Sequence, residues 1–245
     1  MEVNGKLSVV MPAYNEGGRI YENIFETIKI ISEFAPDFEI IAVNDGSTDN
    51  TKSEIERASG RDERVRMVSS DTNHGKGSAI LAGVAEASGE YIAFLDADLE
   101  LNPSQLVRYF EKMQSSGCDV VIGSKLHKDS ELQYPLKRKI MSIGYYMMLR
   151  VLFHLKLRDT QTGLKLFKSS ALKPVAHLVR TSGFAYDIEM LVAVSRRGGR
   201  IEEVPVKVVY VRERKVRRIK FKDVWQAFKD TLAIFIRARF KNYYD

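Results

Sequence analysis

The sequence predicts an α/β protein with a mainly parallel sheet flanked by helices. Short apolar runs alternate with segments of helical spacing through the first hundred residues. Polar clusters rich in Gly, Asn and Asp follow these runs directly, as they do at strand ends. With 245 residues, of which 44% are hydrophobic, the chain is long and apolar enough to bury a core.

The first half of the chain predicts four strands joined by helices. A strand over 7–11 stops at Pro12, and a helix follows from about 19 to 34. A second strand over 39–43 ends in a polar turn, where Thr48 or Asp49 is a good N-cap for a helix over 50–59. The third and fourth strands cover 65–68 and 89–95, with a glycine-rich turn and a helix over 76–87 between them. This alternation is typical of a parallel sheet with helices on its faces.

The second half continues with fewer regular signals. A strand covers 120–125, and a helix runs from about 135 to 154. Another helix opens near 182–190, and a strand over 201–210 has edge character because it contains Pro205. The longest nearly apolar run, 140–155, is shorter than the ~20 residues that a membrane-spanning helix needs.

Two carboxylates, Asp96 and Asp98, follow the apolar fourth strand, and Glu100 follows them. Acids at the mouth of a strand are costly without a cation. Oxygen ligands favour hard ions such as Mg²⁺ or Mn²⁺, and Mg²⁺ usually joins one or two carboxylates to substrate phosphates. The three acids are therefore candidate metal ligands.

The polar motifs of the first half all follow strands, and ligands of such sheets bind beyond the carboxyl ends of the strands. We therefore expect them to line one crevice. Tyr14 is placed to stack a base, Asp45 to accept a hydrogen bond from it, and Lys76 with the neighbouring amides to face phosphates. Turn chemistry alone is the alternative for Asp45.

Four ordered motifs resemble the nucleotide-sugar domain of family 2 glycosyltransferases, which have the GT-A fold. The motifs are Pro12-Ala13-Tyr14-Asn15-Glu16, Asn44-Asp45-Gly46-Ser47-Thr48-Asp49, Asn73-His74-Gly75-Lys76-Gly77 and Asp96-Ala97-Asp98. The resemblance implies a reaction that inverts the anomeric configuration of the sugar. It also implies a set of donor-binding residues, namely Pro12, Tyr14, Glu16, Asp45, Lys76, Asp96 and Asp98, with Arg212 reaching the diphosphate from a later loop.

The second half resembles dolichyl- or polyprenyl-phosphate hexose synthases, which pass the sugar to a lipid phosphate. The similar segments are the strand ending in Lys125, the helix opened by residues 135–140, and residues 158–167. Arg138 and Ser142 are four residues apart and share a helical face. Together with Lys125, they are the residues we expect to hold the acceptor phosphate.

The chemistry of this acceptor differs from that of a sugar hydroxyl. A lipid phosphate is already anionic and attacks the anomeric carbon unaided, whereas a hydroxyl needs a general base. A metal ion on Asp96 and Asp98 would neutralise the leaving diphosphate, and Asp98 is also counted among the catalytic residues. Asp187 is a sugar contact or, with a hydroxyl acceptor, the base. Glu189, two residues further on, cannot share its helical face.

The composition shifts at about residue 213. Cations crowd residues 212–222, and a helix with apolar residues from Val224 to Ile236 at helical spacing follows. We interpret 1–212 as the GT-A domain and 213–245 as a basic amphipathic extension that associates with anionic lipid. A solvated charge run before a helix packed on the core is the alternative. With no signal-peptide pattern and a single cysteine, we expect peripheral attachment at the cytoplasmic face of a membrane, alone or with a separate transmembrane partner protein.

The choice of donor stays open between two nucleotide sugars. GDP-mannose is the first expectation and UDP-glucose the second. A rival enzyme interpretation is a transferase that adds sugar to a hydroxyl of a glycan or glycolipid. The formal charge of +6 also raises nucleic-acid binding as a remote alternative, but the chain carries no recognised RNA or DNA motif, so we expect no nucleic-acid partner.

Overall fold

The structure, a computed structural model, describes residues 2–131, 146–153, 155, 157–183, 185–208 and 221–245, with side chains in the last range from residue 225 onward. Within these ranges the strands are β1 (Leu7–Ala13), β2 (Phe38–Asp45), β3 (Val65–Ser70), β4 (Tyr91–Phe94), β5 (Val120–Ser124), β6 (Lys165–Lys168) and β7 (Ile201–Pro205). The helices are α1 (Ile20–Ile31), α2 (Thr51–Ser59), α3 (Lys76–Glu86), α4 (Leu106–Ser116), α5 (146–153), α6 (Ser169–Ala176), α7 (Tyr186–Arg196) and α8 (Phe221–Phe240).

The described strands form one sheet with the order β3-β2-β1-β4-β6-β5-β7. β3, β2, β1 and β4 are parallel to their neighbours, with Leu7 opposite both Phe38 and Tyr91. β6 runs antiparallel between β4 and β5, and β7 is parallel to β5. β5 therefore points in the same direction as β4. The mainly parallel α/β sheet expected from the sequence is confirmed.

Strand residues alternate between the two sides of the sheet, and each side carries its own core. Val9 and Ile40 belong to one core together with residues of α1, α2 and α4. Their sequence neighbours Val10 and Ile41 belong to the other, together with residues of α3, α6, α7 and α8. This period of two in a strand buried on both faces explains its continuous apolar run.

β1 continues through Pro12 instead of stopping there, which corrects the expected end of this strand. The Val10 carbonyl accepts a hydrogen bond from Leu95 N on the β4 side, so the alternate residue Pro12 faces the same side. Pairing with β4 ends at Val10 opposite Phe94. The missing N–H of proline therefore costs no sheet hydrogen bond.

Two other local expectations have different outcomes. β7 lies at the edge of the sheet, as its proline predicts. The N-cap of α2 is Asn50, whose side chain makes no capping hydrogen bond. Asp49 still supplies the capping oxygen, because its Oδ1 accepts from Thr51 N at 3.0 Å.

α8 has a buried face and an exposed face. Thr231, Ile234 and Ala238 are buried, and the latter two belong to the core that α7 shares. The opposite side exposes large apolar side chains at helical spacing, which are Trp225, Phe228, Leu232, Ile236 and Phe240. A search of the described helices for a bilayer-spanning segment finds none.

Candidate active site

The chemistry-bearing loops meet at one edge of the sheet. β1, β2 and β4 are neighbouring parallel strands, and β5 points the same way. The loops that follow their carboxyl ends begin near Tyr14, Asp45, Asp96 and Lys125. The strand ends that carry the predicted motifs therefore meet at one edge of the sheet, the edge where such sheets bind ligands.

The first two loops are bonded to each other. Thr48 N donates to Asn15 Oδ1 at 2.9 Å, and Glu16 N donates to Thr51 Oγ1 at 2.8 Å. Asn15 has a φ of 57°, the left-handed conformation that asparagine tolerates better than most residues. Tyr14 remains 41% exposed beside this junction, and Pro12 lies at the end of β1. These positions are compatible with stacking a base at the mouth of the crevice.

Asp45 organises the glycine-rich turn. Its two carboxylate oxygens accept hydrogen bonds from His74 N and Gly75 N, each at 2.9 Å. Asn73 Nδ2 donates to the Asp45 carbonyl at 3.1 Å. A carboxylate has about four acceptor positions, so contact with a ligand is compatible with this role. The bonds in the structure are those of a residue that shapes the loop.

Lys76 and Asp96 form an ion pair at the centre of the edge, with Nζ 2.5 Å from Oδ1. Burial would raise the pKa of Asp96, but the charges of Lys76, Lys165 and Lys125 outweigh it and lower that pKa. Burial would likewise lower the pKa of Lys76, whereas Asp96, Asp187 and Asp98 raise it. Both groups are therefore charged at neutral pH, and three lysines act on one carboxylate.

Gly163 lets the Asp96 carboxylate lie where it does. A Cβ at residue 163 would stand 2.0 Å from Asp96 Oδ2. Any side chain there would displace the carboxylate. This close approach explains the glycine in the segment 158–167 by packing against a site residue.

The acids that follow the fourth strand are candidate metal ligands. Among the described residues no group of three His, Cys, Asp or Glu side chains is close enough to hold a metal, so the expected set of Asp96, Asp98 and Glu100 stays a prediction. Asp96 is turned to Lys76, and Asp98 Oδ1 accepts from Glu100 N at 3.1 Å. Oxygen donors from Asp98 and Asp96 still fit Mg²⁺ or Mn²⁺, because such ions need one or two carboxylates when substrate phosphates supply the rest.

Asp187 lies in the same cluster and is paired with a lysine that sequence reasoning missed. Lys165 Nζ is 2.7 Å from Asp187 Oδ1, and their side chains are only 1% and 7% exposed. This contact is an ion pair, and Lys165 Nζ also donates a hydrogen bond to the Thr162 carbonyl at 2.5 Å. Burial raises the pKa of Asp187 although Lys165 and Lys76 oppose the shift.

Lys165 carried a signal that sequence reasoning did not use. It begins an apolar strand, and a lysine at a buried strand position needs an acid partner. In the sequence analysis, Thr162-Gly163-Leu164-Lys165 is included only within the segment 158–167, which resembles the polyprenyl-phosphate hexose synthases.

Lys125 follows β5 and is held through its backbone. Its N–H donates to Asp159 Oδ2 at 2.9 Å, and Thr162 Oγ1 donates to the same oxygen at 2.8 Å. Asp159 thus ties the end of β5 to the loop that contains Gly163. The Lys125 side chain is close enough to Asp96 for its charge to act there.

Glu189 points away from this cluster, as its spacing from Asp187 predicts. It is fully buried and bonded to residues of the C-terminal segment and of the loop before α7. Three further residues expected at the site, Arg138, Ser142 and Arg212, lie outside the described residues.

The comparisons with known proteins agree with the motif pattern. Residues 8–175 match the family described as glycosyl transferase family 2. The chain is 32% identical over 203 residues to glycosyltransferase AglD of Haloferax volcanii, an alignment that covers 82% of this chain and 32% of that protein. It is 31% identical over 219 residues to the dolichyl-phosphate beta-glucosyltransferase of Saccharomyces cerevisiae, covering 82% and 66%. The chain thus spans between a third and two thirds of the length of these relatives.

Solved structures match the fold. A crystal structure of glucosyl-3-phosphoglycerate synthase from Mycobacterium tuberculosis, in complex with Mn²⁺, uridine diphosphate and glucosyl-3-phosphoglycerate, has a TM-score of 0.67 with this chain. The identity is 20%, and the match covers 95% of this chain and 79% of the other. This likeness confirms the expected fold class.

Proposed function

The chain belongs to glycosyl transferase family 2, and we propose that it transfers glucose from UDP-glucose to a dolichyl or other polyprenyl phosphate. The observation that carries the proposal is the charge pattern around Asp96. Lys76, Lys125 and Lys165 all act on this one carboxylate. A site that brings together a donor diphosphate and an acceptor phosphate must hold two anions close to each other, and clustered cations serve that need.

The proposed sugar and acceptor follow the relatives. The yeast relative is a dolichyl-phosphate beta-glucosyltransferase, and a second such enzyme, from Trichomonas vaginalis, is 33% identical over 213 residues. These relatives favour glucose and reverse the order in which the sequence motifs ranked the two donors. Transfer of mannose from GDP-mannose remains the second candidate.

The proposed reaction is a direct displacement at the anomeric carbon. An oxygen of the acceptor phosphate forms the new bond to the anomeric carbon while the bond to the diphosphate oxygen breaks. The leaving nucleoside diphosphate keeps the electron pair, and the configuration inverts. Lys76 faces the donor diphosphate, and Lys125 holds the acceptor phosphate in line together with Arg138 and Ser142, which stay sequence-based assignments.

A divalent cation fits the acidic side of this site. Asp98, with Asp96 once it is released from Lys76, would hold Mg²⁺ or Mn²⁺ against the diphosphate. When bound, the ion would neutralise charge on the leaving group. The neighbour from Mycobacterium tuberculosis was crystallised with Mn²⁺ and uridine diphosphate, which supports this choice without fixing the metal.

One observation supports the rival hypothesis, in which the acceptor is a hydroxyl group. The pKa of Asp187 is raised by burial, and a raised carboxylate pKa suits a general base. Against this, Asp187 Oδ1 is already engaged by the Lys165 ammonium at 2.7 Å. A base that must take up a proton beside a fixed ammonium is weakened, so we favour the phosphate acceptor.

The proposal includes attachment to a membrane surface. The outer face of α8 presents the five exposed apolar side chains described above, and Met147 and Val151 of α5 are 61% and 74% exposed. The C-terminal segment also carries cations that suit anionic headgroups, namely Lys229, Arg239 and Lys241. A cavity of about 380 Å³ lies between α5, α7 and α8, lined by apolar residues together with Ser195, Arg196 and Arg239. It begins within about 15 Å along α7 of Asp187, and we propose it as a place for part of a prenyl chain. Which face of a membrane is involved, and whether a transmembrane partner takes part, remain predictions.

The donor part of this proposal is tested by titration calorimetry with UDP and GDP, each with Mn²⁺ or with EDTA. We expect UDP to bind at least tenfold more tightly than GDP, and only with the metal. Tighter binding of GDP would return mannose to first place. Failure of both nucleotides to bind would contradict the proposed activity.

A further inference from the structure

Glu189 is a buried carboxylate with four hydrogen-bond partners. Oε1 accepts from Tyr244 Oη at 2.5 Å and from Arg237 Nη2 at 2.7 Å. Oε2 accepts from the backbone N–H groups of Arg180 at 3.0 Å and Thr181 at 2.7 Å. Its two oxygens therefore join two separate parts of the chain, the C-terminal segment on one side and the loop before α7 on the other.

On the C-terminal side of this junction, the two partners of Glu189 also contact each other. Arg237 Nε donates to Tyr244 Oη at 3.0 Å, so Arg237 and Tyr244 contact each other as well as Glu189. Tyr244 is fully buried, and its carbonyl accepts from Arg197 Nε at 3.2 Å. A buried charge is tolerated when all its partners are in place, and the loss of any one partner destabilises the folded protein.

The loop side of the junction leads directly to the donor site. Ser182 O accepts from Gly77 N at 3.0 Å, which joins the loop to the start of α3. A Cβ at Gly75 would stand 2.7 Å from Ser182 O, and one at Gly77 would stand 2.7 Å from Thr181 O. The backbone of the loop and that of the glycine-rich turn therefore lie in direct contact, because neither glycine has a side chain.

The turn that carries Lys76 is thus held from two sides. Asp45 holds His74 N and Gly75 N from the sheet, and the Ser182 carbonyl holds Gly77 N from the α7 side. Lys76 Nζ lies 2.5 Å from Asp96. A shift of the 180–182 loop would move the turn and with it the lysine.

We propose that Glu189 is a positioning residue that links the C-terminal helix α8 to the Lys76 turn. Arg237 and Tyr244 fix the Glu189 carboxylate, the carboxylate fixes the 180–182 loop, and the loop fixes the turn. α8 also presents the exposed apolar face, so its placement and the geometry of the donor site are joined through one buried carboxylate.

Hydrogen exchange of the ligand-free protein tests the link. The variants are Arg237→Gln and Tyr244→Phe, and the control is Arg108→Gln, the same change at an exposed arginine of α4. We expect amides of residues 73–77 to exchange at least fivefold faster in both variants and to be unchanged in the control. α1, which packs on the other face of the sheet, should keep its exchange rate.

Two outcomes would overturn the proposal. Unchanged exchange at 73–77 with faster exchange at 237–245 would show that the junction only anchors the C-terminus. Equal acceleration in α1 would show a general loss of stability. Tyr244→Phe keeps the aromatic ring and removes one hydroxyl, so the test remains decisive if Arg237→Gln does not fold.

A second readout rests on the proposed function. We expect the dissociation constant of UDP to rise three- to tenfold in Tyr244→Phe and to stay unchanged in Arg108→Gln. If the parent protein binds no UDP, the proposed function fails, while the exchange measurement still decides on the link. Unchanged UDP affinity in Tyr244→Phe, with a parent that binds UDP, would contradict the positioning role.

Discussion

Asp187 is the residue on which the choice of acceptor depends. It is buried, paired with Lys165 at 2.7 Å, and has a raised pKa. A base must be free to take up the acceptor's proton, whereas a residue that contacts the sugar needs only its position. The two roles differ in how strongly the rate depends on ionisation of this side chain.

We expect Asp187→Asn to lower kcat by less than about tenfold if the acceptor is a phosphate, because no proton has to be removed. A general base would cost about a hundredfold or more. The measurement is kcat with saturating donor and acceptor from pH 5 to 9, with the exposed Asp37→Asn as control. A hundredfold loss of kcat would favour the hydroxyl acceptor. The same conclusion requires that kcat of the parent rises with pH through an acidic pKa and that kcat of Asp187→Asn does not.

The strands are also joined by a buried carboxylate, far from the site. Glu39 at the start of β2 accepts hydrogen bonds from Ser8 of β1 and from the backbone and hydroxyl of Ser88 ahead of β4, all to Oε1. Arg66 of β3 donates to Oε2 at 3.2 Å. One side chain therefore connects the four parallel strands at the end opposite the crevice.

This network makes stability depend on pH. Burial would raise the pKa of Glu39, but its hydrogen bonds from Ser88, Ser8 and Arg66 lower it from 4.5 to about 2. Because the folded-state pKa lies below the unfolded one, this contribution is present above pH 4.5 and is lost as pH falls toward 2.

We expect Glu39→Gln to lower the free energy of unfolding at pH 7 by about 2 kcal/mol, since an amide cannot satisfy the same donors. The difference from the parent should shrink between pH 4.5 and 2. Urea denaturation at several pH values measures it, with the exposed Glu33→Gln as control. A difference that does not change with pH would show that ionised Glu39 does not provide the stability.

α8 is an element with one side in the core and the other exposed. Ile234, Ala238 and Tyr244 belong to the core, so deletion of the C-terminal segment would disturb folding as well as attachment. Point changes on the outer face separate the two effects. Leu232 and Ile236 are 44% and 42% exposed and lie one turn apart.

We expect the double variant Leu232→Ser and Ile236→Ser to bind vesicles of phosphatidylcholine and phosphatidylglycerol at least tenfold more weakly. Loss of two apolar side chains from a lipid contact exceeds the ~1.4 kcal/mol that a tenfold change requires. Co-sedimentation measures binding, and Gln226→Ser on the same helix is the control. Unchanged binding, with an unchanged melting temperature, would contradict a lipid contact at this face.

For the molecule as a whole, the sequence predicted that the motifs meet at one edge, because each motif follows a strand and parallel strands place their carboxyl ends together. It did not predict β6, which runs antiparallel between β4 and β5. The direction of individual side chains was not predicted either. Asp45 is the last residue of β2, and its carboxylate oxygens accept hydrogen bonds from the turn at 73–75. Lys165 went unassigned because its partner Asp187 is distant in sequence. The sequence also does not reveal that Lys76 pairs with Asp96, and the expected metal set of Asp96, Asp98 and Glu100 stays a prediction.

We propose that two anions meet at one edge of the sheet. Lys76, Lys125 and Lys165 surround Asp96, and the apolar faces of α5 and α8 stand nearby for a lipid. Donor, acceptor and membrane surface are therefore parts of one proposal, and a single reaction tests them together.

That reaction is the transfer of labelled sugar from UDP-glucose into an organic-extractable lipid, with polyprenyl phosphate or the corresponding polyprenol, and with Mg²⁺, Mn²⁺ or EDTA. GDP-mannose serves as the competing donor. We expect label from UDP-glucose in the lipid only with the phosphate acceptor and a divalent metal. Label that enters the polyprenol equally well, or no lipid label from either donor while UDP still binds, would contradict the phosphate acceptor.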